Sequence, residues 1–308
     1  MSLTFQEVAS LWKADKRQWI KPSSYATYVR LVHVHLLPYF ADCQVFSEAF
    51  IQQYVYDRLQ GGLRVKTIRD SMIVFKMILR YGEKLGAWPH VPFEVHYPSS
   101  AMEGPRQVSV MDWKDQQRLT GYLQTHFSFR NLGILICMHS GLRIGELCAL
   151  QWKDLDVDAG VILVTKTVQR LWLSDGEEHQ NVLQVGPPKT LSSVREIPIS
   201  HELMRVIRPL RKVMDARCYV LSNADDPLEP RYFRDYFKKL LSSLDIKPVR
   251  FHALRHSFAT RCIESKCDYK TVSAILGHAS ISTTLDLYVH PGLQEKKRCI
   301  EKLSKALR

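Results

Sequence analysis

Two arginines, two histidines and one tyrosine follow one another in an order suited to holding and attacking an anion. Arg143 lies in Gly141-Leu-Arg-Ile-Gly-Glu-Leu, His252 and Arg255 in His-Ala-Leu-Arg-His-Ser-Phe-Ala-Thr, His278 in Leu-Gly-His, and Tyr288 just before Val-His-Pro. An arginine in a bend after a helix-ending glycine can turn its planar fork toward a phosphate. His252 and Arg255, three residues apart, fall on one helix face and can grip one oxyanion together, which leaves Leu254 and Phe258 for the opposite, buried face. Tyr288 ends a short helix expected to begin near Ser282, because Pro291 stops it. Fixed guanidinium charge neutralises a phosphodiester, imidazoles add hydrogen bonds, and a phenol can attack it. Taken singly, each residue also has an ordinary reading: a surface arginine, a solvated polar stripe, a packed tyrosine. The residue types alone leave both readings open.

Competing chemistries find less support. No HExxH pair occurs and the seven cysteines are scattered without a CxxC, so no metal site is expected. Neither a GxSxG elbow nor a GxxxxGK[ST] loop is present. The chain has 308 residues, 45% of them hydrophobic and 24% charged, which fits a folded protein of about two domains. Its formal charge of +12, spread over both halves without a basic tail, favours an anionic partner, with nucleic acid first. No apolar run is long enough for a membrane span, the N-terminus carries charge where a signal peptide needs apolar residues, and the unpaired cysteines read as reduced thiols. A cytoplasmic protein without membrane contact is expected.

Helical periodicity dominates the elements that must position these groups. Phe5, Val8, Leu11 and Trp12 recur at helical steps, Pro22 opens a run through Tyr28 and Leu36, Glu48 to Leu59 stops at Gly61-Gly62, and Ile68, Met72, Phe75 and Leu79 mark a fourth helix. Residues 1–88 are expected to form a helical domain and 89–105 a proline-containing linker. Residues 106–308 form the second domain. There Asp112 caps a helix to about His126, and the apolar Leu132–His139 segment is a core helix ending at Ser140-Gly141. Val161–Val168 and Val194–Ile199 are β-branched segments predicted as strands of a small antiparallel sheet, and the rest to Arg308 is mostly helical. The fold class is mainly α with a small antiparallel β-sheet.

The order Arg, His-x-x-Arg, His, Tyr resembles the tyrosine recombinase (phage integrase) family over nearly the whole chain. The resemblance implies a helical core-binding domain followed by an α+β catalytic domain. It also implies a site-specific DNA recombinase that works through a 3′-phosphotyrosyl bond to integrate, excise or invert DNA without cofactor or metal. Arg143 and Arg255 would hold the scissile phosphate, His252 and His278 would add hydrogen bonds with His252 taking the phenol's proton, and Tyr288 would be the nucleophile. Pro188-Lys-Thr-Leu-Ser-Ser-Val-Arg-Glu-Ile-Pro resembles the segment carrying the family's lysine, above all in integrases of Gram-positive conjugative transposons. This implies Lys189 as the acid for the leaving 5′-oxygen, in preference to Lys166. The helices opening at Ser23, Ser24 and Tyr25 and at Lys66, Thr67 and Arg69 would face DNA.

The implied partners are double-stranded recombination sites, further copies of the chain in a synaptic tetramer, and an accessory directionality factor. Exchange between copies would run through the C-terminal stripe Cys299, Ile300, Leu303 and Leu307. The core-binding pattern begins by Thr4, where phage lambda and transposon integrases carry an added arm-binding domain, so a two-domain recombinase is expected. A type IB topoisomerase-like relaxing enzyme and an inactive DNA-binding protein are the alternatives.

Overall fold

The computed structural model describes residues 3–98, 109–175, 178–188, 191–288 and 293–306. Two compact units make up the chain, one of Met1–Arg106 with Arg170–Leu183 and the other of Gln107–Gln169 with Gln184–Arg308.

The first unit is built from α1 (Phe5–Trp19), α2 (Pro22–Leu31), α3 (Leu37–Phe40), α4 (Glu48–Gln60) and α5 (Val65–Lys84). Thr4 and Glu7 form a reciprocal capping box at the start of α1, and Ser47 caps α4 through the Phe50 amide. A single π turn, Val32–Leu36, runs α2 into α3, where Pro38 withdraws an amide from the helical ladder. Phe5, Phe40, Phe46 and Phe75 meet ring to ring in the core, with centroids 4.6–6.4 Å apart. Leu11, placed by its spacing on the same stripe as Val8 and Trp12, is 48% exposed. Past α5, Trp88 folds back so that its indole Nε1 donates to the Leu79 carbonyl at 3.0 Å. Val91, Phe93, Val95 and Tyr97 then pack alternately on this core as extended chain.

The second unit opens with α6 (Trp113–Thr125), capped by Asp112, and α7 (Phe129–Ser140), capped by Ser128. Every residue from Asn131 to Met138 is buried, as the uninterrupted apolar run requires. Next along the chain come α8 (Ile144–Cys148), β1 (Leu155–Asp156), β2 (Val161–Val164), β3 (Thr167–Asp175), β4 (Glu178–Gly186) and β5 (Arg195–Pro198), of which most of β3 and β4, within Arg170–Leu183, belongs to the first unit. The remainder is α9 (His201–Val213), α10 (Pro230–Ser243), α11 (His252–Glu264), α12 (Tyr269–Leu276), α13 (Ile281–Tyr288) and α14 (Leu293–Ala306). The mainly helical class with small antiparallel sheets is as the sequence predicts.

The sheets differ in detail from the expectation. Strand β2 pairs antiparallel with both β1 and β5, Val161 opposite Pro198 and Val164 opposite Arg195. The segment expected to be one strand, Val161–Val168, is divided between β2 and β3, and the polar stretch beyond it forms the separate β3–β4 pair. Adjacent polar residues such as Gln169 and Arg170 break up the apolar ones such as Val168 and Leu171 there, so no period of two marks these strands in the sequence.

At the end of α7, Gly141 adopts the left-handed conformation at φ 64°, and a Cβ on it would lie 2.7 Å from Phe258 Cδ1 and 2.8 Å from Leu276 Cδ2. Gly141→Ala is expected to cost about 1–3 kcal/mol from backbone strain, with the contact adding to it. The urea midpoint of the full chain measures that loss.

Candidate active site

Gly141 reverses the chain after α7 and delivers Arg143 to the start of α8. The Arg143 amide donates to Glu146 Oε2 at 2.9 Å and its Nη1 to Glu146 Oε1 at 2.7 Å, so one carboxylate fixes both the backbone and the guanidinium. Glu146 is 4% exposed. Arg195, entering β5, reaches the same carboxylate through Nη2 at 2.9 Å and Nη1 at 3.2 Å. Burial pushes the Glu146 carboxyl up, but the hydrogen bond and charge of Arg195 and the charge of Arg143 outweigh it and hold the group below its ordinary value.

Three consecutive carbonyls at the end of α12 each accept from a different arginine. Arg195 Nε donates to Ile275 at 2.6 Å, Arg255 Nη2 to Leu276 at 2.8 Å and Arg143 Nη2 to Gly277 at 3.1 Å. These carbonyls have no helical amide to accept and carry the negative end of the helix dipole. Gly277 closes the helix in the left-handed region at φ 65°, and its Cα faces Arg195 and the Ser192 carbonyl so closely that a Cβ would meet them at 3.0 Å. Arg255 also donates through Nη1 to the Gly141 carbonyl at 2.9 Å and is only 2% exposed. The shared exposed face expected for His252 and Arg255 is thereby corrected. Arg255 lies on the inner side of α11 with Leu254, because two helix-end carbonyls supply the partners a buried guanidinium needs. Its pKa falls to about 10 through burial and the neighbouring Arg143, which leaves it charged at neutral pH.

His278 follows Gly277, and its Nδ1 is 2.8 Å from Oγ1 of the buried Thr284 on α13. Tyr288, the last residue of α13, is 9% exposed and packs with Ala259, Val272 and Leu276. Burial raises its phenol pKa while the charges of Arg255 and Arg143 pull the other way. The phenol oxygen lies 2.5 Å from Nδ1 of His256, one turn beyond His252, and the two imidazoles meet edge to face at 4.5 Å. Desolvation lowers His252 to about 4, helped by His256 and Arg255, and lowers His278 to about 4, helped by Arg255 and Arg143. The site thus brings together five of the expected residues, Arg143, His252, Arg255, His278 and Tyr288.

Lys189 lies outside the described residues. Lys166, the other lysine, is held by the Gln151 side chain at 2.8 Å. In the first unit α2 packs against α5. On these helices Ser23, Ser24 and Tyr25 are partly exposed, Thr67 likewise, Lys66 pairs with Asp70 at 2.9 Å, and exposed Arg69 stacks over Tyr97 at 4.9 Å. Leu307 also lies outside the described residues, while Ile300 and Leu303 on α14 are 65% and 56% exposed.

Sequence reasoning passed over three residues of the site: Glu146, Arg195 and His256. Each stands inside a motif already singled out. His256 had a legible signal, since it repeats His252 at i, i+4 and shares its helix face.

The pH behaviour follows from these environments. His252 and His278 stay neutral in the folded chain until about pH 4, whereas unfolded imidazoles take up protons from about pH 6.5 downward. The unfolded state binds more protons across that window, so stability is full above it and falls on acidification; the depressed Glu146 carboxyl adds a loss in the same direction at lower pH. Histidine C2–H resonances should show no titration of either residue above about pH 5. Glu146→Ala should cost about 3–5 kcal/mol at neutral pH by leaving the buried Arg195 without its carboxylate, measured by urea unfolding.

The chain is similar to known proteins over nearly its whole length. The phage integrase family domain matches residues 110–295, and the phage integrase N-terminal SAM-like domain matches residues 4–59. ICEBs1 integrase of Bacillus subtilis (strain 168) is 24% identical over 323 residues, covering 99% of this chain and 84% of that protein. A tyrosine recombinase XerC-like protein of Caldanaerobacter subterraneus subsp. tengcongensis is 27% identical over 276 residues, covering 82% of this chain and 70% of its own. Among solved structures, the Tn1549 transposon integrase in complex with transposon right end DNA superposes with a TM-score of 0.76 at 22% identity, covering 98% of this chain and 100% of that one. The lambda integrase (75–356) dimer bound to a core site gives 0.64 at 14% identity, with 94% and 97% covered. With the family domain matched over residues 110–295, a range that takes in Arg143, His252, Arg255, His278 and Tyr288, the chain belongs to the phage integrase family, the tyrosine recombinases.

Proposed function

We propose that this tyrosine recombinase opens and rejoins double-stranded DNA with Tyr288 as nucleophile. One observation carries the reading. Two guanidinium groups, Arg143 and Arg195, share the Glu146 carboxylate, and a third, Arg255, is held on the Gly141 and Leu276 carbonyls beside a buried phenol, an excess of fixed positive charge that suits a phosphodiester. Arg143 and Arg255 hold the nonbridging oxygens, and His252 and His278 add hydrogen bonds. Attack by the phenol oxygen on phosphorus releases the 5′-oxygen, protonated by Lys189, and leaves a 3′-phosphotyrosyl bond. A 5′-hydroxyl of the partner strand reverses the step. Because the bond energy is retained in the phosphotyrosyl link, the reaction draws on no cofactor.

Residues 1–88 are read as the core-type DNA-binding domain, 89–105 as the linker and 106–308 as the catalytic domain. Ser23, Ser24, Tyr25, Lys66, Thr67 and Arg69 contact the duplex. Integration, excision or inversion in the cytoplasm, aided by a directionality factor, fits the family. The Tn1549 and lambda relatives, solved with DNA, support a duplex partner.

Random-sequence duplexes incubated with the full chain and recovered by covalent capture supply the substrate. A protein–DNA adduct resistant to denaturation is expected with the wild type, and Tyr288→Phe should abolish it while duplex affinity changes less than about twofold. Lys189→Ala should cleave slowly and recover when sulfur replaces the leaving 5′-oxygen, since a thiolate leaves without an acid. An undiminished adduct from the phenylalanine variant would move the nucleophile elsewhere.

We further propose that α14 reaches a neighbouring copy in a DNA-bound tetramer. Its exposed Ile300 and Leu303 support this, set among the exposed Lys296, Lys297 and Arg298. Ile300→Asp with Leu303→Asp should leave folding and single-site binding intact and lose the complex of two sites on native gels.

A further inference from the structure

His256 has no place in the reading above, yet its imidazole makes the hydrogen bond to the reacting oxygen. Nδ1 of His256 and the Tyr288 oxygen are 2.5 Å apart. His256 is half-buried on α11, a helix that packs against α7, α12 and α13, and its ring lies tilted against that of Tyr288 with centroids 5.6 Å apart. His252, the residue expected to take the phenol's proton, contacts His256 edge to face from one turn earlier and is the more exposed of the two.

Resting on Tyr288 as nucleophile, we propose that His256 is the proton carrier of the reaction, accepting the phenol's proton at Nδ1 during strand cleavage and returning it during rejoining. For this the neutral ring carries its hydrogen on Nε2, so that the phenol donates to the Nδ1 lone pair. In cleavage the Tyr288 O–H bond breaks and its proton passes to Nδ1. An oxygen lone pair forms the bond to phosphorus, and the bond from phosphorus to the 5′-oxygen breaks with its electron pair leaving on that oxygen, which takes a proton from Lys189. Rejoining runs each transfer backward, and the imidazolium reprotonates the departing phenolate. His252 is left free to hydrogen-bond the phosphate.

The charged groups around the pair explain why the transfer waits for DNA. Arg255 on the same helix acts on His256, and together with Arg143 from the α7–α8 turn it acts on Tyr288. His252 lies alongside, Glu146 and Arg195 stand behind the arginines, and His278 is turned to Thr284. Burial and then Arg255 disfavour a charged His256 in the free chain. An incoming phosphodiester brings the negative charge that offsets Arg255 and makes the imidazolium tolerable. The base therefore strengthens as the substrate is seated.

Adduct formation by the full chain on the captured duplex, nicked so that the cleaved end diffuses away, tests the assignment. His256→Ala should bind that duplex within about twofold of wild type, form adduct at least about 100-fold more slowly and regain rate with added imidazole. His256→Asn, whose side-chain oxygen accepts at the Nδ1 position but cannot carry a proton, should remain slow. It decides the matter if the alanine variant fails to fold. A fast asparagine variant would reduce His256 to a positioning residue, and a wild-type rate in the alanine variant, or imidazole rescue of His252→Ala in its place, would overturn the proposal. Nitrogen NMR of the free chain gives a reading independent of DNA: the Nε2–H tautomer is expected, and an Nδ1–H tautomer overturns it. Adduct formation by Tyr288→Phe would instead overturn the nucleophile assignment on which this rests.

Discussion

The carbonyl end of α12 is the point on which the catalytic-type unit is organised. Ile275, Leu276 and Gly277 present three successive carbonyls that the helix cannot satisfy, and arginines from β5, α11 and the α7–α8 turn occupy one each. Burying guanidinium groups in a protein is costly unless every geometry is good. Here the cost is offset by hydrogen bonds to fixed dipoles and by Glu146, and the result is that four segments distant in sequence are locked in register. A left-handed glycine at each of the two helix ends makes the approach geometrically feasible.

Electrostatic consequences follow directly from that frame. One carboxylate pairs with two guanidinium groups while a third, Arg255, stands nearby, and desolvation and the same positive charges lower the pKa of His252 and His278. The site is therefore positive and suited to an anion. Preorganisation of this kind lowers a barrier because the dipoles and charges need not reorient when negative charge builds up on phosphorus. Tyr288 lies at the margin of the same field, its acidity pushed one way by burial and the other by Arg255 and Arg143.

Elements farther from the site are specified more loosely by local rules. The first unit is fastened by aromatic packing among Phe5, Phe40, Phe46 and Phe75, an interaction that tolerates wide sequence change while keeping a helical fold. That freedom agrees with superposition on relatives at 22% and 14% identity. No helix among the described residues is long and apolar enough to cross a membrane.

Local sequence determined the helices, because capping residues such as Thr4, Asp112 and Ser128, the breaks at Gly61-Gly62 and Gly141, and a 3.6-residue apolar period act within a few residues of one another. It also singled out the groups proposed to react, since Arg143, His252, Arg255, His278 and Tyr288 stand in motifs whose order resembles a known family. The β3–β4 pair was not legible, as its polar composition reads equally well as loop. Only tertiary structure decided that Arg255 faces inward, that Glu146 and Arg195 complete the clamp, and that His256 touches Tyr288. The reason is physical: a charged side chain's direction is set by the partners available to it, and here those partners, the Gly141, Leu276 and Gly277 carbonyls and the Tyr288 oxygen, arrive from segments up to 134 positions away.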